Sequence, residues 1–287
     1  MTEYQLKKRV AILLTVFISA CITWLLPYFS ITQTSEFLTV TFLDIGQGDS
    51  ILVETPDGVQ LLIDGGPDGT VLRRLTEELP WFDRTLDIVL GTHPDKDHIG
   101  GLIDVLSRFK VGQIITTENT GETMVASTFQ NALVSEGVPV IMARAGQVYQ
   151  IGASTTLTIF SPASNPVMLE SNTASIVAKL SYGEIDFMLT GDAPSSIEAY
   201  LVKTYGSQLQ SEVLKLGHHG SKTSSSDIFL DTVKPNHAVV STSKDNTYGH
   251  PYPAVVKAVE SRGISLTNTA AVGSITFETN GIDLWQK

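Results

Sequence analysis

Cysteine is nearly absent from this sequence, and basic residues are in short supply. The single cysteine, Cys21, excludes an internal disulfide and therefore the small disulfide-stabilised scaffolds. The 287 residues carry 19 Lys and Arg against 30 Asp and Glu, a net charge of −11 at pH 7. Tight, sequence-independent binding to nucleic acid depends on basic contacts to phosphates, so this composition argues against it. Brief handling of nucleic acid at a metal site is still compatible with the charge.

The few basic residues are unevenly placed near the N-terminus. Basic side chains at positions 7–9 precede an apolar run over residues 10–31, and no Lys or Arg follows until Arg73. A run of this length can cross a bilayer, and the positive-inside rule places its N-terminal end in the cytoplasm. The sequence therefore predicts a single-pass protein of the bacterial cell membrane with an extracytoplasmic domain. Its predicted parts are a membrane anchor over residues 1–31 (cytoplasmic tail 1–9, span about 10–31), a polar linker over 32–36 and a domain over 37–287.

Two other interpretations of the N-terminus stay open. One is a cleaved signal peptide, although the apolar run extends past the usual length of a signal-peptide core. The other is a lipoprotein, because Ile18–Cys21 resembles a bacterial lipobox that would place a lipid on Cys21. The strongly apolar residues after Cys21 disfavour it. All three interpretations place the domain outside the cytoplasm.

Residues 37–287 mix strand and helix signals along their whole length. Phe37–Leu43 alternates as a strand, and the segments on either side of Pro56–Gly58 predict a hairpin. Leu86–Leu90 predicts a short buried strand, and Ile99–Phe109 has helical spacing. Hairpins combined with strand–helix–strand units predict an α/β fold of two sheets with helices on the outer faces.

The sequence THPDKDH, residues 92–98, follows the predicted strand directly. It places His93, Asp95, Asp97 and His98 within one turn. Such a turn can supply ligands to two metal ions about 3.5–4 Å apart, the spacing of two-metal hydrolytic sites. The alternative is that Asp97 caps the next helix and the histidines are incidental.

Two further strand ends carry candidate ligands. Asp192 ends the apolar strand of the motif LTGD, where its carboxylate can bridge two metals or, alternatively, cap the next helix. His218 and His219 end another strand and are flanked by glycines. One of them can bind metal while the other faces substrate; the alternative is a loop with surface histidines.

These motifs, in this order, resemble the metallo-β-lactamase superfamily, whose fold is an αββα sandwich with a two-metal site between the sheets. More specifically, the chain is similar to the C-terminal hydrolase domain of the ComEC/Rec2 family of competence (DNA-uptake) proteins. The motifs that carry the likeness are LDIGQGDS (43–50), LLIDGG (61–66), HPDKDH (93–98), LTGD (189–192), HHGSKTS (218–224) and YGHP (248–251).

The resemblance implies a set of metal ligands. It assigns His93 and Asp95 to a first metal, Asp97, His98 and His219 to a second, and Asp192 to a bridge between them. It also implies that Asp64 supports the metal loop and that His218 faces substrate, although the sequence leaves open which of the paired histidines is the ligand.

The chain departs from the superfamily pattern at two positions. Asp95 stands where a histidine is usual, and the stretch 170–175 offers Asn172 but no histidine. An oxygen-rich site suits Mn²⁺ better than a nitrogen-rich one does, so two divalent ions, Zn²⁺ or Mn²⁺, are the expected cofactors. We expect Asn172 and Asp49 to support the site, with an ordinary turn residue as the alternative for Asp49.

Several other residues are weaker candidates. Lys222 can help to draw in a phosphodiester, and His250 can act as a general acid or phosphate contact, with a surface turn histidine as the alternative. Trp81, Tyr248 and Tyr252 could stack on a base, but packing in the core or at its rim is the favoured interpretation.

The predicted function is an extracytoplasmic metal-dependent hydrolase of phosphodiesters, with DNA as the substrate that the resemblance implies. A single apolar span cannot conduct a strand, so a separate DNA-uptake channel protein is an expected partner. A cell-wall or small-molecule phosphoesterase resembling phosphorylcholine esterases is the first alternative, because an acidic surface favours zwitterionic substrates. A non-catalytic DNA-uptake accessory module is the second. The oligomeric state is left open.

Overall fold

The computed structural model describes residues 3–30 and 35–287. Its first element is helix α1, Glu3–Ser30. Within the described ranges, no helix combines the length and the apolarity that a membrane crossing requires. The predicted span is therefore not confirmed, and most of the predicted linker lies outside the described residues.

The domain contains two β-sheets. The strands of the first sheet are β1 (Leu38–Phe42), β2 (Ile51–Glu54), β3 (Gln60–Ile63), β4 (Thr85–Gly91), β5 (Lys110–Thr116), β6 (Val140–Met142), β14 (Ile275–Thr279) and β15 (Leu284–Gln286). The strands of the second are β7 (Val148–Ile151), β8 (Thr155–Ser161), β9 (Val177–Tyr182), β10 (Ile185–Leu189), β11 (Val213–Lys215), β12 (His237–Val240) and β13 (Ser265–Asn268). Their orders are β15-β14-β1-β2-β3-β4-β5-β6 and β13-β12-β11-β10-β9-β8-β7.

Helices cover the outer faces of both sheets. They are α2 (Thr70–Glu78), α3 (Lys96–Arg108), α4 (Met124–Glu136), α5 (Ser195–Tyr205), α6 (Asp227–Val233), α7 (Pro253–Glu260) and α8 (Thr269–Val272). Short 3-10 turns lie at Asn172–Ala174, Gly206–Leu209 and Gly217–Gly220. Helices α2, α3 and α4 pack on the first sheet, and α5, α6 and α7 pack on the second. The predicted αββα sandwich is thus confirmed.

The alternation along each strand explains these layers. In β3, Leu61 and Ile63 join the core between the sheets, whereas Leu62 joins the core beneath α2 and α3. In β10, Phe187 and Leu189 face the inter-sheet core and Met188 faces the helices of the second sheet. Both faces of these strands are buried there, so the segments Leu61–Ile63 and Phe187–Leu189 are apolar without a break.

The parallel strands bring the polar motifs together. Strands β3, β4 and β5 run parallel in the first sheet, as do β10, β11 and β12 in the second. The carboxyl ends of parallel strands meet at one edge of a sheet, where ligands commonly bind. Asp64, His93, Asp192 and His218–His219 each follow such a strand by one to four residues. The sheets therefore position the candidate ligands along one edge of the sandwich.

Candidate metal centre

The THPDKDH cluster divides between a loop and a helix. Helix α3 begins at Lys96, three residues before the predicted start, so Asp97 and His98 lie in its first turn. Asp95 is at the N-cap position, but its side chain makes no capping hydrogen bond. Its Oδ1 instead accepts a hydrogen bond of 2.6 Å from Ser171 Oγ. The interpretation of Asp97 as the helix cap is therefore wrong, and both carboxylates are directed to other partners.

Close backbone approaches hold this loop in place. Gly48 has φ +133°, and a Cβ there would lie 2.2 Å from the carbonyl oxygen of Asp97. A Cβ on Gly101, in the second turn of α3, would lie 2.1 Å from the carbonyl oxygen of Gly65. Only glycine allows both contacts. The loops around Gly48 and Gly65 are thus pressed against the start of α3, which fixes the histidine and carboxylates that it carries.

Asp192 lies at the centre of the site. Its carboxylate oxygens are 3.3 Å from Nε2 of His98, 3.6 Å from Nε2 of His219, 3.8 Å from Nε2 of His218 and 3.9 Å from Nε2 of His93. The following helix, α5, has Pro194 at its N-cap position, so Asp192 is not a helix cap. A carboxylate surrounded by four imidazoles is positioned to share a cation with them.

Three buried histidines present an unused ring nitrogen to Asp192. Nε2 of His93, His98 and His219 has no hydrogen-bond partner within the described residues, although these side chains are almost fully buried. Their Nδ1 atoms are held from behind: His98 by Asp64 Oδ2 at 2.7 Å, His93 by Thr92 Oγ1 at 3.0 Å and His219 by the Ser241 carbonyl at 3.1 Å. Buried polar atoms without partners are rare and need an explanation. Backed imidazoles with a converging free nitrogen are the usual arrangement around a metal.

Two of the groups formed by the donor atoms overlap at His98. Ligand atoms of His93, His98 and Asp192 lie within 4.8 Å of one another, as do those of Asp97, His98 and His219. Asp95 Oδ2 lies 3.7 Å from Nε2 of His93 and thus borders the first group. Since nitrogen and carboxylate oxygen donors converge without mutual hydrogen bonds, the cluster is compatible with binding divalent metal ions.

The electrostatics of the cluster favour positive charge. Burial alone would raise the pKa of Asp192, but the adjacent His98 and His219 outweigh it and hold that pKa well below its ordinary value. Burial disfavours the charged form of His219, yet Asp192 and Asp49 raise its pKa to about 9. The pKa of His98 is likewise raised well above its ordinary value despite burial, by Asp192 and Asp64. The carboxylates thus attract cations, whether protons or metals.

His93 behaves differently from the other two. Burial, followed by the charge of His98, lowers the pKa of His93 to about 4. A neutral imidazole is the form that binds metal.

The geometry separates the paired histidines. Both adopt positive φ, +48° for His218 and +54° for His219. His219 is buried, with Nε2 3.3 Å from Asp97 Oδ2. The side chain of His218 is 28% exposed, its Nδ1 pairs with Thr223 Oγ1 at 3.1 Å, and its ring packs edge-to-face on His250 at 5.8 Å. His219 is therefore placed among the ligand atoms and His218 at the open side of the site.

The remaining predicted site residues differ in their placement. Asp49 Oδ1 is 3.3 Å from Nδ1 of His219 and 2.8 Å from the ammonium of the buried Lys215. Asn172 begins a 3-10 turn, and its buried Oδ1 has no hydrogen-bond partner among the described residues. Lys222 is not brought into the cluster: its ammonium lies 6.0 Å from the ring centre of Tyr252.

Four supporting residues were not identified from the sequence. Thr92 donates its hydroxyl to Asp64 Oδ2 at 2.7 Å, and Ser171 donates to Asp95. Ser175 Oγ accepts from the amide of Asp192 at 3.3 Å, and Lys215 pairs with Asp49. In the polar stretch 170–175, Asn172 and the lack of a histidine were singled out from the sequence, but neither serine was. Ser171 of this stretch holds the carboxylate of Asp95, and Ser175 holds the backbone amide of Asp192.

Comparison with curated proteins finds similar sequences among competence proteins. The chain is 33% identical over 242 residues to "Competence protein ComA" of Neisseria gonorrhoeae, covering 83% of this chain and 32% of that protein. It is 29% identical over 260 residues to "ComE operon protein 3" of Bacillus subtilis (strain 168), with the same coverages, 83% and 32%. The chain thus spans about a third of the length of these relatives.

Solved structures share the fold at low sequence identity. CmlA, a diiron β-hydroxylase from Streptomyces venezuelae, superposes with a TM-score of 0.58 at 14% identity, over 84% of this chain and 54% of CmlA. Zn²⁺-bound PqqB from Methylobacterium extorquens gives a TM-score of 0.52 at 16% identity, over 80% of this chain and 87% of PqqB. In sequence, residues 43–244 match the metallo-beta-lactamase superfamily, and this match includes the candidate ligands from His93 to His219. The chain belongs to the metallo-β-lactamase superfamily.

Proposed function

We propose that the chain is a metal-dependent phosphodiesterase that hydrolyses DNA. The observation that carries the proposal is the convergence on Asp192 of three imidazole nitrogens that have no hydrogen-bond partner in the described part of the chain, with Asp95 and Asp97 at the borders. One ion would be held by His93 and Asp95. A second would be held by Asp97, His98 and His219, and Asp192 would contact both ions. Carboxylates supply half of these six ligands, which suits oxygen-preferring ions such as Mn²⁺ beside Zn²⁺.

Ions bound there would polarise a phosphoryl oxygen and make a water molecule a stronger nucleophile. The chain's own residues would orient and protonate the substrate. His218 is at the open side, with Nδ1 held by Thr223, so its Nε2 is directed at the site and can donate a proton to the leaving oxygen. His250 packs against the ring of His218 and restricts its orientation.

DNA is the substrate that the relatives favour. One of the similar proteins is named a competence protein, and "Recombination protein 2" of Haemophilus influenzae is 30% identical over 243 residues, or 82% of this chain and 28% of that protein. The net charge of −11 opposes long polyanions and keeps a small or zwitterionic phosphodiester as the second candidate substrate. If DNA is the substrate, we expect the protein to contact it only near the metal centre.

Metal removal tests the proposal. We expect the purified full chain to lose hydrolysis of a single-stranded oligonucleotide in EDTA and to regain it with Mn²⁺, more fully than with Zn²⁺. The measurement is product formation after each metal is titrated into the apoprotein, with metal content determined in parallel.

Each contrary result has a distinct meaning. Full restoration by Zn²⁺ with Mn²⁺ inert would contradict the oxygen-rich assignment. Hydrolysis of a chromogenic small diester without hydrolysis of DNA would favour the phosphorylcholine-esterase-like alternative. Metal-bound protein that cleaves neither would favour the non-catalytic accessory module.

Membrane attachment and a channel partner stay predictions. Side chains along α1 such as Leu13, Phe17 and Trp24 are exposed and apolar, which is the feature that motivates an anchor. We expect the full chain, expressed in bacteria, to sediment with membranes and resist extraction by high salt. Quantitative release by salt alone would contradict the anchor, and labelling of Cys21 by lipid would indicate the lipoprotein instead.

A further inference from the structure

A cavity opens beside the candidate metal centre on the side of Asp97. Its volume is about 390 Å³, within the range typical of small-molecule sites. Among its lining residues are Gln47, Lys96, Asp97, Asn246 and Tyr248. Since Asp97 Oδ2 is 3.3 Å from Nε2 of His219, a group in this cavity would be adjacent to anything bound at the metals.

An aromatic stack forms one wall of the approach to this cavity. The ring of Tyr248 is stacked on His250, with centroids 5.9 Å apart and planes inclined by 25°. His250 in turn contacts His218, whose Nε2 is 3.8 Å from Asp192. Tyr248 is 71% exposed, so its ring is free to take a second planar group. This exposure excludes packing of Tyr248 in the core, which was one half of the favoured sequence interpretation; the other half was packing at its rim.

The turn that carries Tyr248 is held by its own hydrogen bonds. Asn246 Nδ2 donates to the carbonyls of Ser243 and His250 at 2.9 and 2.8 Å, and Asn246 Oδ1 accepts from the amide of His250 at 3.0 Å. The amide of Ser243 also approaches Gln47 Oε1 at 3.5 Å. An exposed aromatic ring on a fixed turn loses little conformational entropy when it binds a ligand.

The charged side chains that line the cavity restrict the kind of group that can bind there. The charge of Lys96 acts on the nearby Asp68 carboxylate, and Asp97 and Asp245 also line the cavity. Two carboxylates would repel a second phosphate placed deep in the cavity. A neutral planar group is compatible with these two carboxylates, and its edge can hydrogen-bond to the side-chain amide of Gln47. Lys96 can contact the phosphate that follows.

We propose that this cavity binds an unpaired nucleobase adjacent to the scissile phosphate, with the base stacked on Tyr248. The inference rests on the proposed function, because it takes the phosphodiester to lie at the metals. Base–aromatic stacking tolerates any base, since each has a π-face. In duplex DNA both faces of an internal base are already stacked, so the cavity would require an unstacked strand.

The test compares a single-stranded oligothymidylate with an oligonucleotide of equal length made of abasic phosphodiester units. Stacking on one ring contributes about 1–3 kcal/mol, equivalent to roughly a 5- to 150-fold change. We expect Tyr248→Ala to lower, by this factor, the ratio of kcat/KM on oligothymidylate to kcat/KM on the abasic oligonucleotide. Tyr248→Phe should match the wild type on both substrates. The matched control is Trp81→Ala, which removes an 80% exposed aromatic side chain that does not line the cavity.

A binding measurement keeps the inference separate from the proposed function. Fluorescence anisotropy in EDTA should show that the wild type prefers oligothymidylate to the abasic oligonucleotide, and that Tyr248→Ala loses this preference. Equal binding of both by the wild type, or an unchanged preference in Tyr248→Ala, would overturn the base site whatever the hydrolysis results. Preferential binding without hydrolysis in either metal would overturn the nuclease function and support the base site.

Discussion

Replacing Asp192 by asparagine is expected to lower kcat/KM for phosphodiester hydrolysis by on the order of 10³-fold. Asparagine keeps the shape of the side chain but removes the one charge that lies within 3.3–3.9 Å of four imidazole nitrogens. Without this charge, the two groups of ligands lose the carboxylate that joins them. The measurement is kinetics with saturating Mn²⁺ or Zn²⁺, together with the number of ions bound per chain.

A matched control lies on the strand that precedes Asp192. Asp186, in β10, pairs with Lys179 at 2.8 Å and is away from the histidines. We expect Asp186→Asn to keep wild-type kinetics and wild-type metal content. If Asp192→Asn retained both as well, the assignment of Asp192 as a bridging ligand would be wrong. Loss of activity with unchanged metal content would indicate that Asp192 acts on the substrate rather than on the metal ions.

The sequence was sufficient to predict the two-sheet layers and to indicate that the candidate polar residues follow strands. Alternation along Leu61–Ile63 in β3 and Phe187–Leu189 in β10 determines which faces are buried, and this pattern is local. The polar motifs follow the strands directly, so parallel pairing of β3 with β4 and of β10 with β11 collects them at one edge. Local sequence thus determines both the elements and the positions at which the polar side chains occur.

The sequence does not predict contacts between segments that are far apart along the chain. Ser171 donates to Asp95 from 76 residues away, and nothing in its neighbours indicates that partner. The division of roles between His218 and His219 depends on positive φ values at two consecutive non-glycine residues, which no local pattern predicts. No local pattern indicates that Lys215 is buried and paired with Asp49. Each of these features arises only when the two sheets are packed together.

Lys215→Met is expected to reduce the free energy of unfolding by about 3–5 kcal/mol, because it removes one partner of a buried ion pair. The Lys215 ammonium is 2.8 Å from Asp49 Oδ1 and 3.0 Å from the Leu216 carbonyl, and the two side chains are only 1% and 3% exposed. Methionine has a similar length and is apolar, so the change leaves the Asp49 carboxylate buried without its cation. The measurement is urea denaturation in EDTA, with unfolding monitored by two independent spectroscopic probes.

Lys179→Met provides the comparison, since Lys179 and Asp186 form an ion pair of the same 2.8 Å length with side chains 17% and 24% exposed. Solvent screens such a pair, so its loss should cost only about 0–1 kcal/mol. The double variant Lys215→Met, Asp49→Asn should lose less stability than Lys215→Met alone, because no buried charge is left unpaired. If Lys215→Met were no more destabilising than Lys179→Met, the prediction would be wrong. The Asp49 carboxylate would then be either protonated or sufficiently paired with His219 alone. Lys215 would then be dispensable to the support beneath the metal centre.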